Sequence, residues 1–171
     1  MDAVESKVVW RDGMAFDAHL EGFQFTIDAD EQFGGQGLGP KPKGLTLTSL
    51  IGCTGMDVIA ILKKMRVAVD GFEVRSVGTL ADEHPKKFER ITLRYSFQGA
   101  DLPLKKLRRA VSLSEERYCG VRATLWSPWR SRAKSGSTAS ESRMRSRSTR
   151  PPLHEALPGR GVSRLLTRLC G

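Results

Sequence analysis

The residues of this chain that could do redox chemistry are its cysteines. Three are present, Cys53, Cys119 and Cys170, and the first two stand 66 residues apart. A cysteine attacks an electrophile as the thiolate, so two thiols that meet in a fold can act as a redox pair. Because the chain has no Cys-x-x-Cys pair and few histidines, we do not expect a structural zinc site of the usual close spacing.

We expect no secretion signal, since no charged segment is followed by an apolar run and a small-residue cleavage site in the amino-terminal residues. We therefore expect a cytoplasmic protein. In that reducing compartment a cysteine pair is more often catalytic than structural.

Charge is distributed unevenly along the 171 residues. Residues 1–125 contain 18 Lys and Arg against 17 Asp and Glu, whereas residues 126–171 contain 10 against 2. Of the net charge of +9, +8 therefore lies in the carboxy-terminal tail, and we expect no nucleic-acid binding from residues 1–125.

Alternating apolar and polar residues predict strands in the amino-terminal part, at residues 8–10, 14–20 and 23–27. The Asp12-Gly13 step between the first two runs is a strong turn signal, which favours an antiparallel meander with Arg11 at a hairpin end.

An apolar stretch at residues 45–65 has helical spacing and few charges, which predicts a helix buried on nearly every side. A transmembrane helix is the competing interpretation. Four Thr and Ser residues and Asp57 interrupt the run, so the sequence favours the core helix and no membrane.

The following residues predict two more strands, at 72–75 and 88–97, and a short amphipathic helix at 104–111. Ser112 and Glu115 match a capping box that would start a further helix through Cys119. Strands, a buried helix, strands and helices together predict an α+β fold for residues 1–125.

Two segments resemble the OsmC/Ohr family, the osmotically inducible protein C and organic hydroperoxide resistance proteins. GPKPKGLTLTSLIGCTGMDVIAILKKMR, residues 39–66, is similar to the family's glycine-proline turn and central helix with the first cysteine. AVSLSEERYCGVRATL, residues 110–125, is similar to its helix with the second cysteine. With the Arg11-Asp12-Gly13 turn, the resemblance covers residues 7–125.

The resemblance implies an interlocked homodimer in which a curved antiparallel sheet wraps around two central helices. It implies a peroxide reductase acting on organic hydroperoxides, with Cys53 as the peroxidatic cysteine, Cys119 as the resolving cysteine and Arg11 as the residue that favours the thiolate. No bound cofactor or metal is implied. An external dithiol, such as a lipoylated protein, would restore the thiols.

One departure from the family concerns Arg11. The hydroperoxide branch holds its arginine with a glutamate just after the proline of the central helix, but here Pro42 is followed by Lys43 and Gly44. Asp57, one turn after Cys53, is a candidate to replace that glutamate as the partner of Arg11, although a carboxylate that close would raise the pKa of the cysteine. Without the resemblance, each residue has an interpretation that involves no catalysis. Asp57 would be a polar residue whose hydrogen bonds are satisfied by a neighbour, and Arg11 would be a solvated turn residue.

The tail, residues 126–171, contains 9 Arg and 9 Ser, and its sequence shows no alternating strand where the family has a final one. We interpret it as a disordered or frameshift-derived replacement of the native terminus. The rival interpretation is a basic arm that binds nucleic acid through phosphate contacts. Cys170 has no assigned role.

Because the glutamate is missing, a second hypothesis for the function remains open even if the chain is a member of this family. A non-catalytic member could bind an apolar small molecule at the dimer interface. Such a binder would have a Cys53 that titrates like a free thiol, which separates it from the reductase.

Overall fold

The computed structural model describes residues 3–126, 155–159 and 162–170, the last two segments by their backbone. The chain divides into two compact units, residues 1–48 and 49–171. Three helices and two antiparallel sheets confirm the predicted α+β class.

The first unit contains a three-stranded antiparallel sheet of β1 (Ser6–Asp12), β2 (Ala15–Leu20) and β3 (Phe23–Ile27). At the predicted turn, Gly13 has a φ of +51° and its N–H donates to Asp12 Oδ1 at 2.8 Å. This side-chain bond and the positive φ are what an Asp-Gly step supplies, so the predicted hairpin is confirmed.

Asp28 organises the glycine-rich loop that follows β3. Its buried carboxylate accepts hydrogen bonds from the N–H groups of Ala29, Gln36 and Leu38. The bond from Gln36 is the largest of the effects that hold the pKa of Asp28 below its usual range, against the opposing effect of burial. A Cβ at Gly35 would lie 1.9 Å from the Ala29 carbonyl oxygen, so only glycine fits there.

The long helix α1 spans Pro42–Lys64. Its buried residues, Leu50, Thr54, Val58 and Leu62, recur every four positions and form one stripe. The prediction of a helix buried on nearly every side is therefore wrong for the single chain, in which the Met56 side chain is 72% exposed. By length and composition alone α1 could also cross a membrane, a test that core helices of soluble proteins pass as well.

The second unit contains a four-stranded antiparallel sheet in the order β4 (Gly71–Leu80), β5 (Phe88–Gln98), β7 (Val162–Cys170) and β6 (Glu155–Gly159). A Cβ at Gly55 of α1 would lie 3.7 Å from atoms of Phe72 and Val74, so α1 packs closely on β4. The buried residues of β5 alternate along the strand, as the sequence predicts: Ile91, Leu93, Tyr95 and Phe97.

After β5, helix α2 spans Leu104–Leu113, a π-helical turn spans Ser114–Tyr118, and helix α3 spans Gly120–Trp126. The predicted capping box is wrong, because Ser112 lies inside α2 and its hydroxyl donates to Glu116 Oε1. Glu115 is instead buried and accepts a hydrogen bond from Tyr95 Oη at 2.9 Å. Because the Glu115 carboxylate binds Tyr95 in the interior, it does not cap the start of a helix.

Two strands of the tail change the sequence-based picture of residues 126–171. We predicted no strand there, and this is wrong for β6 and β7, since β7 pairs with β5 from Arg90↔Cys170 to Gln98↔Val162. The arginines and serines of the tail mask a Leu165-Thr167-Leu169 alternation that favours a strand. The origin of the tail stays a hypothesis, and residues 127–154 lie outside the described part of the chain.

Candidate functional site

Helix α1 carries two of the three side chains that form the candidate site. Cys53 and Asp57 are separated by four residues, which places them on one side of the helix, one turn apart. Both side chains are half-buried. The Ser114 hydroxyl donates to Asp57 Oδ2 at 3.2 Å, so this carboxylate has a polar partner from the π-helical turn. Such a partner is expected from the sequence if Asp57 is a polar residue satisfied by a neighbour.

Cys119 stands between the π-helical turn and α3 and is buried, with 4% of its surface exposed. Its backbone N–H donates to the Ser114 carbonyl at 2.9 Å. Its sulfur accepts a hydrogen bond from the backbone N–H of Arg122 at 3.4 Å, the position in which an N-cap side chain binds the first turn of a helix.

The fold brings the two predicted redox cysteines together. The sulfurs of Cys53 and Cys119 and a carboxylate oxygen of Asp57 all lie within 4.8 Å of one another. Both cysteines are free thiols. A disulfide needs a sulfur separation of about 2.05 Å, so small movements of the side chains and the π-helical turn are needed to join them.

The surroundings of Cys119 favour its protonated form. Burial raises the pKa of the Cys119 thiol, and the neighbouring Cys53 thiol raises it further. The Thr54 hydroxyl, 3.3 Å from the sulfur, and the Arg122 N–H lower the pKa but do not overcome burial. Cys119 is therefore a thiol at neutral pH. The donors near its sulfur are the Arg122 N–H and the Thr54 hydroxyl, which shares its single hydrogen with the Leu50 carbonyl oxygen.

Tyr95, Glu115 and Arg122 hold the segment that carries Cys119. Burial and then the Glu115 charge raise the pKa of the Tyr95 hydroxyl far above its usual range, so it stays a hydrogen-bond donor to that carboxylate. Arg122 Nη1 donates to the Glu115 carbonyl oxygen, and its guanidinium lies over the Trp126 ring. These contacts fix the π-helical turn against β5.

Arg11 lies near the end of β1, in the first unit. Its Nε forms an ion pair with Asp17 Oδ2 at 3.3 Å, and the Arg11 side chain is 51% exposed. Asp17 on β2 thus gives Arg11 a carboxylate partner. The glutamate that the family has after the proline of its central helix is replaced here by Lys43 and Gly44. The role of Arg11 toward Cys53 stays a prediction.

Thr54 and Ser114 are site residues that sequence reasoning missed. Thr54 is fully buried and its hydroxyl lies near both the Leu50 carbonyl oxygen and Cys119 Sγ. Ser114, also fully buried, contacts Thr54 O and Asp57. A usable signal was present for Thr54, because it is the one polar residue in the four-residue repeat Leu50, Thr54, Val58, Leu62.

Comparison with known proteins identifies the family. Residues 34–130 match the family model described as OsmC-like protein, which is more than half of the chain. The chain belongs to the OsmC-like family. Protein YhfA of Escherichia coli is 33% identical to this OsmC-like chain over 119 residues, which cover 69% of this chain and 86% of YhfA.

Solved structures of other proteins share the fold of this chain. A hypothetical protein from Aquifex aeolicus aligns with a TM-score of 0.65 and 31% identity over 73% of this chain and 88% of its own. An organic hydroperoxide resistance protein from Legionella pneumophila aligns with a TM-score of 0.53 and 14% identity over 74% and 90%. The predicted family and the predicted α+β fold of the single chain are thereby confirmed.

Proposed function

We propose that this OsmC-like protein is a thiol-dependent reductase of organic hydroperoxides. The observation that carries the proposal is the approach of Cys53 and Cys119 to within 4.8 Å across 66 residues of sequence. Their different environments support two roles. Cys53 is half-buried and therefore the more accessible of the two, whereas Cys119 is buried and its raised pKa favours the protonated thiol.

The reaction uses two thiols and one peroxide bond. The Cys53 thiolate attacks one peroxide oxygen, the O–O bond breaks, and the departing alkoxide takes a proton to become the alcohol, which leaves a sulfenic acid on Cys53. The Cys119 thiolate then attacks the Cys53 sulfur and displaces hydroxide, which leaves as water after taking a proton. An external dithiol reduces the disulfide through a mixed disulfide and is itself oxidised.

Several features support an organic rather than an inorganic peroxide. Cys53 lies on an apolar helix, and the Legionella protein of the same fold is named for organic hydroperoxide resistance. Apolar residues near a thiol favour a substrate with an apolar group. Arg11 completes the proposal as the cation that favours the Cys53 thiolate, as the family resemblance implies.

We further propose a homodimer in the cytoplasm with a lipoylated protein as reductant. Large apolar side chains are exposed in the single chain, which supports an interface that covers them. They include Trp10 at 64%, Phe23 at 76% and Met56 at 72%.

Mass spectrometry after addition of one equivalent of an organic hydroperoxide tests the function. We expect rapid loss of two thiols per chain, with a Cys53–Cys119 bridge in the peptide map and Cys170 unmodified. Hydrogen peroxide at the same concentration is the comparison and should react more slowly. Unchanged thiols in a folded protein would contradict the reductase and favour the non-catalytic binder of an apolar molecule.

Replacement of Thr54 by valine tests the role of the buried hydroxyl. Thr54→Val removes a donor to Cys119 Sγ at nearly constant shape, so the pKa of Cys119 should rise further. Because the second step needs the Cys119 thiolate, disulfide formation should slow about 5-fold at neutral pH, which corresponds to about 1 kcal/mol for one hydrogen bond.

The effect of Thr54→Val on the Cys119 pKa should also appear in the pH dependence of disulfide formation. A raised pKa means a small thiolate fraction at neutral pH, so the rate of disulfide formation should increase with pH and the increase should shift to higher pH in Thr54→Val. Stopped-flow measurements of sulfenic acid decay give this profile. Thr48→Val, which removes an exposed hydroxyl bonded to the Gly44 carbonyl on the same helix, is the matched control. Identical profiles for both variants would exclude this role of Thr54.

A further inference from the structure

The cluster of Cys53, Asp57 and Cys119 has the composition of a metal site as well as of a redox pair. Its three potential ligand atoms, two sulfurs and one carboxylate oxygen, lie within 4.8 Å of one another. In a tetrahedral zinc site with Zn–S bonds of about 2.3 Å, the two sulfurs are about 3.8 Å apart. The two sulfurs therefore need to approach each other by at most about 1 Å to bind one ion.

We propose that the reduced protein binds a thiophilic divalent cation, Zn²⁺, through Cys53, Asp57 and Cys119. Two thiolates and one carboxylate outweigh the charge of the ion by one negative charge and leave a fourth position for water or another small ligand. Calcium and magnesium are disfavoured because they require mainly oxygen ligands. The site cannot be recognised from the spacing of its ligands in the sequence, because Cys119 is separated from Cys53 and Asp57 by strands β4 and β5.

The groups around the cluster orient its ligands as an outer shell does in zinc proteins. The Ser114 hydroxyl donates to Asp57 Oδ2 and leaves the other carboxylate oxygen for the metal. The Thr54 hydroxyl and the Arg122 N–H both approach Cys119 Sγ, and such donors stabilise a bound thiolate. The three elements that meet here, α1, the π-helical turn and α3, therefore hold both the ligands and their partners.

Metal binding and disulfide formation use the same two sulfurs and exclude each other. When a hydroperoxide oxidises the metal-bound pair, both Zn–S bonds break and one S–S bond forms. The two sulfurs lose two electrons, and the O–O bond takes them together with two protons to give one alcohol and one water. One Zn²⁺ is released. The site would thus report the redox state of the cysteines by releasing its metal.

Calorimetric titration of the reduced Cys170→Ser protein with Zn²⁺ tests the inference, because that background removes the third thiol. One Zn²⁺ per chain is expected, and Co²⁺ in its place should give the near-ultraviolet absorption of sulfur-to-cobalt charge transfer. Cys53→Ser and Cys119→Ser should each abolish the binding. Ser114→Ala should weaken it by roughly 10- to 100-fold, as loss of an outer-shell partner does.

Asp57→Ala and its control separate a built site from simple dithiol binding. Asp57→Ala should weaken Zn²⁺ binding, whereas Asp70→Ala, on the loop before β4, should not. No saturable binding to the folded reduced protein, or equal affinity in Asp57→Ala, would overturn the inference. This outcome is independent of the reductase, since a protein that binds Zn²⁺ but does not reduce hydroperoxide refutes only the proposed function, and the reverse result refutes only the metal site.

Discussion

Replacement of Cys53 by serine is expected to abolish hydroperoxide reduction and return the reaction to the level of the buffer. The reason is chemical, because a serine hydroxyl does not form the anion that attacks peroxide at neutral pH. The side chains are nearly the same size, so the fold should be kept. Consumption of cumene hydroperoxide with dihydrolipoamide as reductant measures the loss.

Cys119→Ser should behave differently from Cys53→Ser, and this difference assigns the two roles. The variant should release one equivalent of alcohol per chain and then stop, with a sulfenic acid on Cys53 that dimedone traps. Cys170→Ser, outside the cluster, is the control and should turn over normally. Alcohol release by Cys53→Ser together with none by Cys119→Ser would reverse the assignment.

Phe97→Ala is expected to be among the most destabilising single changes in the second unit. Phe97 is fully buried on β5, and its ring stacks on Phe72 of β4 with centroids 4.8 Å apart and an interplanar angle of 29°. Truncation of a buried phenylalanine costs about 3–5 kcal/mol, which combines lost burial with the cavity left behind. The free energy of unfolding in urea should fall by that amount.

The control for this prediction is Phe33→Ala, since the Phe33 side chain is 67% exposed. It should change the free energy of unfolding by less than about 0.5 kcal/mol. Phe97→Leu should fall between the two, because it keeps most of the apolar volume. Equal effects of Phe97→Ala and Phe33→Ala would mean that the β4–β5 face is not the core described above.

The sequence predicts best where a single periodic pattern decides the structure. The Asp12-Gly13 turn, the alternating β5 and the apolar α1 were all found from their residues, because each depends on neighbours along the chain. The partnership of Cys53 with Cys119 came from a family resemblance, since no local rule brings residues 66 apart within one site.

The features that sequence reasoning missed depend on distant partners. Glu115 resembles a helix-capping residue, yet Tyr95, twenty positions earlier, takes its carboxylate. Thr54 and Ser114 gain their importance only when α1 meets the π-helical turn. Strand β7 was missed for another reason, because Arg164, Arg168 and the serines of the tail conceal a short apolar repeat. For Glu115 and Ser114, nothing local to the residue indicates such contacts.

The carboxylate of Asp28 gives the first unit a local response to acid. Three backbone N–H groups of the loop depend on its negative charge, and its pKa is held below the usual range mainly by the Gln36 N–H. A lowered pKa contributes stability above the unfolded-state value, and that contribution is lost as pH falls through the folded-state value. Acid should therefore open the loop around Gln36 by local unfolding and increase both the exchange of its amide hydrogens and its cleavage by an acid protease.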